Sequence, residues 1–264
     1  MIANVANLDK MAIVVAHPGH ELRVFSWLEQ NRPTVYVLTD GSGRDRHGRL
    51  HFTSQLLQRS GAQPGTIYGR YTDLELYETV LRGNVTLLRH VVDELTDALV
   101  RQDIEFVLGD AAEGEFMAHD LWRQLRILAV ERAESILERP IAEFEFAVDS
   151  HPHNCPASLK EHSICLALDD EAFYRKLAAA YANHRVRPFV DKMLASFGAD
   201  AFRTECLFPM SQDSLLTPEL KRVPNYEQHG EAMVAEGVYP EVIRYHQHLV
   251  PLFVALRQSE LVTA

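Results

Sequence analysis

The chain has 264 residues, 47% hydrophobic and 24% charged, which is ordinary for a globular protein with a core of normal size. Its formal net charge of −11, from 37 acidic and 26 basic residues, disfavours polyanions, so we expect no nucleic-acid partner. No stretch approaches the roughly 20 apolar residues that span a bilayer. Cys155, Cys165 and Cys206 form no CxxC pair, which favours reduced thiols and a cytoplasmic location. The oligomeric state stays open.

The first half alternates between strand-like and helix-like segments. In chain order the predicted elements are strand 11–17, helix 22–30, strand 34–41, helix 52–61, strand 65–69, helix 83–102, strand 104–111, helix 119–133 and strand 141–148. Strands 11–17 and 104–111 are continuous apolar runs, typical of strands covered on both faces. Strand 141–148 alternates apolar and charged residues, as a half-exposed edge strand would. The alternation predicts a doubly wound, mostly parallel, Rossmann-like α/β sheet.

Past about residue 150 the pattern changes. A loop rich in proline and histidine precedes segments of helical periodicity at residues 170–183, 186–197 and 241–257. We therefore divide the chain into an α/β core over residues 1–150 and a helical extension over residues 151–264 that packs on the core.

Polar clusters follow the predicted strands at residues 17–21, 40–43 and 110–119, at the sheet edge where doubly wound folds bind ligands. His17 and His20 flank a Pro-Gly turn that can direct both imidazoles into one space, and His119 opens a later helix. Three histidines and an open position suit a catalytic zinc, which lowers the pKa of a bound water to about 7. Histidine pairs in turns are more commonly capping or surface groups, so the spacing leaves both interpretations open.

Several segments resemble the LmbE/PIG-L family of zinc-dependent N-deacetylases, whose first motif is Ala-His-Pro-Asp-Asp-Glu. They are "VVAHPGHE", "VLTDGSG", "GDAAEGEFMAHDLWR" and, near the carboxyl terminus, "PNYEQHGEAMVAEGVYPEVIRYHQHLVPL". The resemblance implies that His17 and His119 bind metal and that Zn²⁺, or another divalent cation, is the cofactor. It also implies a small-molecule substrate, an N-acetylated sugar or a glycoconjugate.

The chain departs from the family motif at two positions. The aspartate that serves the family as general base corresponds to Gly19, and the next aspartate, a metal ligand, corresponds to His20. Glu21 matches the family's glutamate. The resemblance therefore implies a metal site of His17, His20 and His119 in which the usual base is missing.

Other carboxylates near the strand ends are candidates to replace the base. The principal candidates are Glu21, Asp120 and Asp40, followed by Glu113 and Glu115. Asp40 can also be interpreted as a turn residue, and Asp120 as a carboxylate in the first turn of a helix. Glu113 and Glu115 can also be interpreted as solvated loop residues.

The resulting prediction is a metal-dependent hydrolase, specifically an N-deacetylase. The alternative is a deacetylase-fold protein whose catalysis has lapsed and which acts as a binding or scaffold module, and the glycine in place of the base is the feature that divides the two. A third interpretation is a hydrolase of esters or activated amides, which need less help from a base.

Overall fold

A computed structural model describes residues 8, 10–43, 46–210 and 223–258. The strands are β1 Met11–Val15, β2 Thr34–Thr39, β3 Gln63–Tyr71, β4 Phe106–Asp110, β5 Ala142–Phe146, β6 Ile164–Ala167 and β7 Thr204–Pro209. They form one sheet in the order β3-β2-β1-β4-β5-β7-β6. The first five strands are parallel, and β7 pairs antiparallel with both β5 and β6.

Helices cover both faces of this sheet. They are α1 Phe25–Asn31, α2 Leu50–Ser60, α3 Asp73–Leu81, α4 Val85–Arg101, α5 Met117–Leu137, α6 Asp170–Ala182, α7 Arg187–Arg203, α8 Asn225–Ala235 and α9 Val250–Gln258. Short 3₁₀ turns lie at His20–Val24 and Ala157–His162, and a π-helical turn at Tyr245–Leu249 precedes α9. Among the described residues, no helix is both long and apolar enough to cross a membrane.

The core has two layers because successive side chains of a strand point to opposite faces. From β1, Ala12 and Val14 pack with residues of α4, α5 and α9, whereas Ile13 and Val15 pack with residues of α1, α2 and α6. Every residue of β1 and β4 is buried, which explains their unbroken apolar runs. The prediction of a doubly wound, mostly parallel α/β fold is confirmed.

The prediction that residues 141–148 form an edge strand is wrong. β5 lies inside the sheet, with β4 on one side and β7 on the other. Its charged residues Glu143 and Glu145 are compatible with burial because Arg123 and Arg126 of α5 pair with them. An alternating pattern therefore marked a strand whose polar face is covered by cationic side chains instead of water.

The region beyond residue 150 contains two strands as well as helices. β6 and β7 extend the sheet that the first half builds, and neither was predicted. Helices α3 and α8 were also missed. The division of the chain at residue 150 stays a prediction.

The expectation of three reduced cysteines is also corrected. Cys165 on β6 lies directly opposite Cys206 on β7, and the two form a disulfide across 41 residues of sequence. Only Cys155 is free among the cysteines. The pairing follows from strand register, which cysteine spacing in the sequence does not reveal.

Candidate metal centre

The candidate site lies at the point where the order of the strands in the sheet reverses. From β1 the chain proceeds to β2 and β3 on one side, and then returns to β4 on the other side of β1. Ligands of doubly wound folds bind at such a point, outside the carboxyl ends of the strands. A cavity of about 500 Å³ opens there.

The three predicted metal ligands come together at this cavity. The ring centroids of His20 and His119 are 4.6 Å apart, and the ring of His17 lies 5.3 Å from the first and 5.1 Å from the second. His17 and His20 follow β1 on the Pro-Gly turn, in which Gly19 has a φ of 105°. His119 lies in the first turn of α5, which follows β4.

Asp110, the last residue of β4, was not among the predicted metal ligands. Its Oδ2 atom accepts a hydrogen bond from the Ala16 amide (2.7 Å) and lies 2.9 Å from His20 Nδ1. Its Oδ1 atom is buried without a hydrogen-bond partner. One ligand atom each from His20, Asp110 and His119 lie within 4.8 Å of one another. These three residues are called the donor cluster below.

The donor cluster contains buried polar atoms that the described chain leaves unpaired. Neither ring nitrogen of His119 makes a hydrogen bond, although the residue is only 1% exposed. Unpaired polar atoms in the interior are costly, and a cation would satisfy them. Burial lowers the pKa of His20, and lowers the pKa of His119 well below its ordinary value. Both shifts favour the neutral imidazole, the form in which histidine binds a metal. The residues present fit a divalent cation.

His17 is oriented by two neighbours. Its Nδ1 atom lies 2.7 Å from Thr39 Oγ1, at the end of β2, and 3.3 Å from Asp73 Oδ1, at the start of α3. Burial raises the pKa of Asp73, but hydrogen bonds from His17 and Thr39 outweigh that effect and hold the pKa below its ordinary value. A carboxylate at Nδ1 commonly fixes the orientation of a ligating histidine. The Nε2 atom is then the nitrogen that remains for a ligand.

Two of the predicted base candidates have other structural partners. Both carboxylate oxygens of Glu21 are engaged, one by the Gly19 amide and one by the Thr53 hydroxyl, each at 2.8 Å. Glu21 thus holds the histidine turn in place. Asp40 accepts a hydrogen bond from the Ser42 amide at 2.9 Å, as a turn residue does, and it does not line the cavity.

The remaining predicted candidates differ in burial. Asp120 is 2% exposed, and burial raises its pKa to about 7. It follows His119 in the first turn of α5 and does not line the cavity. Glu113 is not solvated: it accepts hydrogen bonds from the Val148, Asp149 and Ser150 amides. Glu115 lines the cavity and accepts a hydrogen bond from Asn225.

A carboxylate on the cavity wall, Asp149, was missed in the sequence. It lies in the loop after β5, and its Oδ2 atom is 3.6 Å from His119 Nδ1 and has no hydrogen-bond partner. Burial, together with the nearby charges of Glu113 and Glu115, raises its pKa to about 7. Its only sequence signal is its position just past the end of a strand.

The rest of the cavity wall is largely apolar. Aliphatic and aromatic side chains come from the start of α5, from α7 and from α8; they include Phe116, Met117, Val186, Phe189, Val190, Tyr226 and Met233. Cationic side chains, Arg49 and Arg185, also line it. The cavity therefore suits a ligand that is apolar in part and places a polar group at the histidines.

The chain was compared with known proteins and structures. No family model and no curated protein matches it. Among solved structures, A40926 pseudoaglycone deacetylase is similar with a TM-score of 0.51 and 14% identity, covering 76% of this chain and 97% of that one. A deacetylase–teicoplanin complex is similar with a TM-score of 0.53 and 9% identity, covering 75% of this chain and 97% of that one. The zinc-inhibited form of a teicoplanin deacetylase is similar with a TM-score of 0.50 and 10% identity, covering 77% of this chain and 100% of that one. At these identities the similarity shows a shared fold: the chain has the α/β fold of these deacetylases.

Proposed function

We propose that the protein is a metal-dependent hydrolase that removes the acyl group from an N-acylated amino sugar or glycoconjugate. The observation that carries this proposal is the buried donor cluster, whose unpaired atoms lie at the switch point of a sheet shared with deacetylases. The LmbE/PIG-L-like motif at the end of β1 supports the same reaction.

His20, Asp110 and His119 would hold the cation, with His17 beside them. Asp110 supplies the carboxylate that the family motif has at the position of His20, so the donor set again contains histidines and one aspartate. A bound divalent cation supplies Lewis acidity to an amide carbonyl oxygen. Zn²⁺ is the cation we propose, since imidazole and carboxylate ligands suit it.

Asp149 is the residue we propose as proton carrier in place of the missing family aspartate. It lines the cavity beside His119, whereas both oxygens of Glu21 accept hydrogen bonds and Asp120 does not line the cavity. A carboxylate in this position can accept a proton and later return it. Asp149 can thus take a proton from an attacking water and pass it to the departing amine.

The apolar wall indicates that the substrate extends beyond a bare acetyl sugar. Phe116, Phe189 and Met233 would contact an apolar part of the substrate, such as a longer acyl chain or an aromatic aglycone. The solved neighbours are named as deacetylases of the A40926 pseudoaglycone and of the teicoplanin pathway, which supports a large glycoconjugate.

The test is amine release by protein of defined metal content. Chelator-treated protein and protein reloaded with one equivalent of Zn²⁺ are incubated with N-acetyl- and N-octanoyl-glucosamine and with aryl glycosides of both. We expect a free amine only from the loaded protein, and faster release from the substrates with apolar groups. Absence of amine from every substrate with loaded protein would overturn the proposal.

A second candidate function, a binding module without catalysis, is favoured by Gly19. Its φ of 105° disfavours side chains, and an added Cβ would lie 2.8 Å from Val186 Cγ2, so the backbone has no room for the family's aspartate. Saturable binding of the same substrates by metal-loaded protein, measured by calorimetry and without amine release, would identify this function.

A further inference from the structure

A second group of metal-ligating side chains lies apart from the donor cluster. Cys165 on β6 and Cys206 on β7 face each other at the antiparallel end of the sheet. His153, in the loop after β5, places its Nδ1 atom 3.3 Å from Cys206 Sγ and 3.6 Å from Cys165 Sγ. None of the three lines the cavity described above. We call them the Cys-His cluster.

The Cys-His cluster has the chemistry of a thiophilic metal site. Thiolate and imidazole are the ligands that zinc prefers in proteins, and tetrahedral zinc places such ligand atoms about 3.3–3.8 Å from one another. Both nitrogen–sulfur distances already lie in that range. The remaining requirement is that the two sulfurs separate, which reduction of the disulfide permits.

We propose that reduced Cys165 and Cys206, together with His153, bind one thiophilic divalent cation such as Zn²⁺, and that the disulfide and the metal-bound form exclude each other. A dithiol reductant supplies two electrons and two protons, which break the sulfur–sulfur bond and leave two thiols. Each thiol then releases its proton as its sulfur binds the cation. Exchange with a disulfide oxidant takes two electrons from the two thiolates, re-forms the Cys165–Cys206 bond, leaves the oxidant as two thiolates and releases the cation.

Access to the cluster is suited to such a switch. His153 and Cys165 are exposed, so a reductant and a hydrated cation can reach them, whereas Cys206 is buried. Thiol–disulfide exchange begins with attack on an accessible sulfur, which here is that of Cys165. The departing Cys206 sulfur lies beside His153 Nδ1.

The test uses Co²⁺ alone as a spectroscopic substitute for Zn²⁺. Full-length protein is titrated with Co²⁺ in two states, with the disulfide intact and after reduction by a phosphine that is then removed without oxygen. Cobalt–thiolate bonds absorb strongly in the near ultraviolet, and the donor cluster contains no thiolate. We expect this absorption only in the reduced protein, saturating at one equivalent in a His119→Ala background and lost when Zn²⁺ is added.

Four variants identify the ligands. Cys165→Ser and Cys206→Ser should each weaken the absorption and the Co²⁺ affinity, as should His153→Ala, by at least about tenfold. Cys155→Ser is the matched control, because Cys155 contacts Ser163 and not the cluster, and it should bind Co²⁺ like the parent. Cys165 is exposed, so its variant remains informative if replacement of the buried Cys206 prevents folding. A reduced parent without thiolate absorption, or equal affinity in Cys165→Ser and the parent, overturns the proposal.

Discussion

Helix α5 carries two buried polar clusters that differ in how their atoms are paired. One and two turns past His119, Arg123 and Arg126 pair with Glu143 and Glu145 of β5, with an Arg126 Nε to Glu143 Oε1 distance of 2.8 Å. We call these four residues the paired cluster. The donor cluster is equally buried, but atoms of His119 and Asp110 have no partner.

The difference indicates different roles. Buried polar atoms need hydrogen-bond or ion-pair partners. A cluster whose side chains pair with one another is therefore structural, and a cluster with unpaired atoms can bind a ligand. The two clusters are also connected, since Arg126 Nη1 donates to the Asp110 carbonyl at 3.1 Å. The paired cluster thereby holds the end of β4 from which Asp110 reaches the site.

Removal of His119 should have the largest effect on function and little on folding. His119→Ala should lower bound metal and amine release by more than about 100-fold, because a ligand is lost. The unfolding free energy of the metal-free protein should not decrease much, since the ring makes no hydrogen bond. Plasma mass spectrometry, the amine assay and urea unfolding measure the three quantities. Unchanged metal content would contradict the assignment of the donor cluster.

Removal of Arg126 should do the opposite. Arg126→Met leaves Glu143 and Glu145 buried with fewer cationic partners, so we expect the unfolding free energy to fall by about 3–5 kcal/mol. Arg175→Met is the control, since Arg175 pairs with glutamates at the surface and should contribute less than about 1 kcal/mol. Urea unfolding of both variants measures the difference. Equal losses would show that the paired cluster is no more important than a surface ion pair.

Asp149→Asn should lower turnover without loss of metal. Replacement of a general base typically costs about 10²- to 10⁴-fold, and we expect a fall in kcat at the lower end of that range. Asp40→Asn is the matched control, because Asn preserves the turn hydrogen bond and the residue is off the cavity. Steady-state amine release at fixed zinc content compares the two variants. An equal effect in both would remove Asp149 from its proposed role.

Gly19→Ala should destabilise the histidine turn. A φ of 105° and the approach to Val186 together should cost about 2 kcal/mol. Gly237→Ala separates the two causes, because Gly237 has a φ of 71° but open space around it. Urea unfolding should show the larger loss at Gly19. If Gly237→Ala lowers the unfolding free energy as much as Gly19→Ala does, crowding by Val186 contributes nothing.

Asp120→Asn should stabilise the protein, in a way that depends on pH. Burial raises the pKa of Asp120 from 3.8 to about 7 in the metal-free fold, so the native state binds more protons than the unfolded state between these values. Stability of the parent therefore falls as the pH rises through that range. The variant lacks this loss, and a pKa raised from 3.8 to about 7 corresponds to a gain of up to about 4 kcal/mol in unfolding free energy at pH 8, with none at pH 3.5. Urea unfolding of chelator-treated protein at both pH values is the measurement, and a pH-independent difference would contradict it.

The local elements of the first half were largely predictable because their signals are local. β1 and β4 are apolar throughout because both of their faces are buried. α4 has apolar residues at helical spacing because one of its faces is buried. β6 was not predictable in this way, since four residues that alternate between half-buried and exposed carry little pattern. The edge assignment of β5 failed because cationic partners from α5 cover its charged face.

By itself the sequence determined that a turn rich in histidine follows the first buried strand, and that His119 begins a helix after a later one. Parallel strands end at one edge of the sheet, so these residues had to approach one another. Only the tertiary structure brought Asp110 and Asp149 to them and placed Glu21 and Asp40 in structural hydrogen bonds. Which carboxylate faces a cavity depends on strand order, register and side-chain direction. These arise from contacts between residues far apart in sequence, as does the pairing of Cys165 with Cys206.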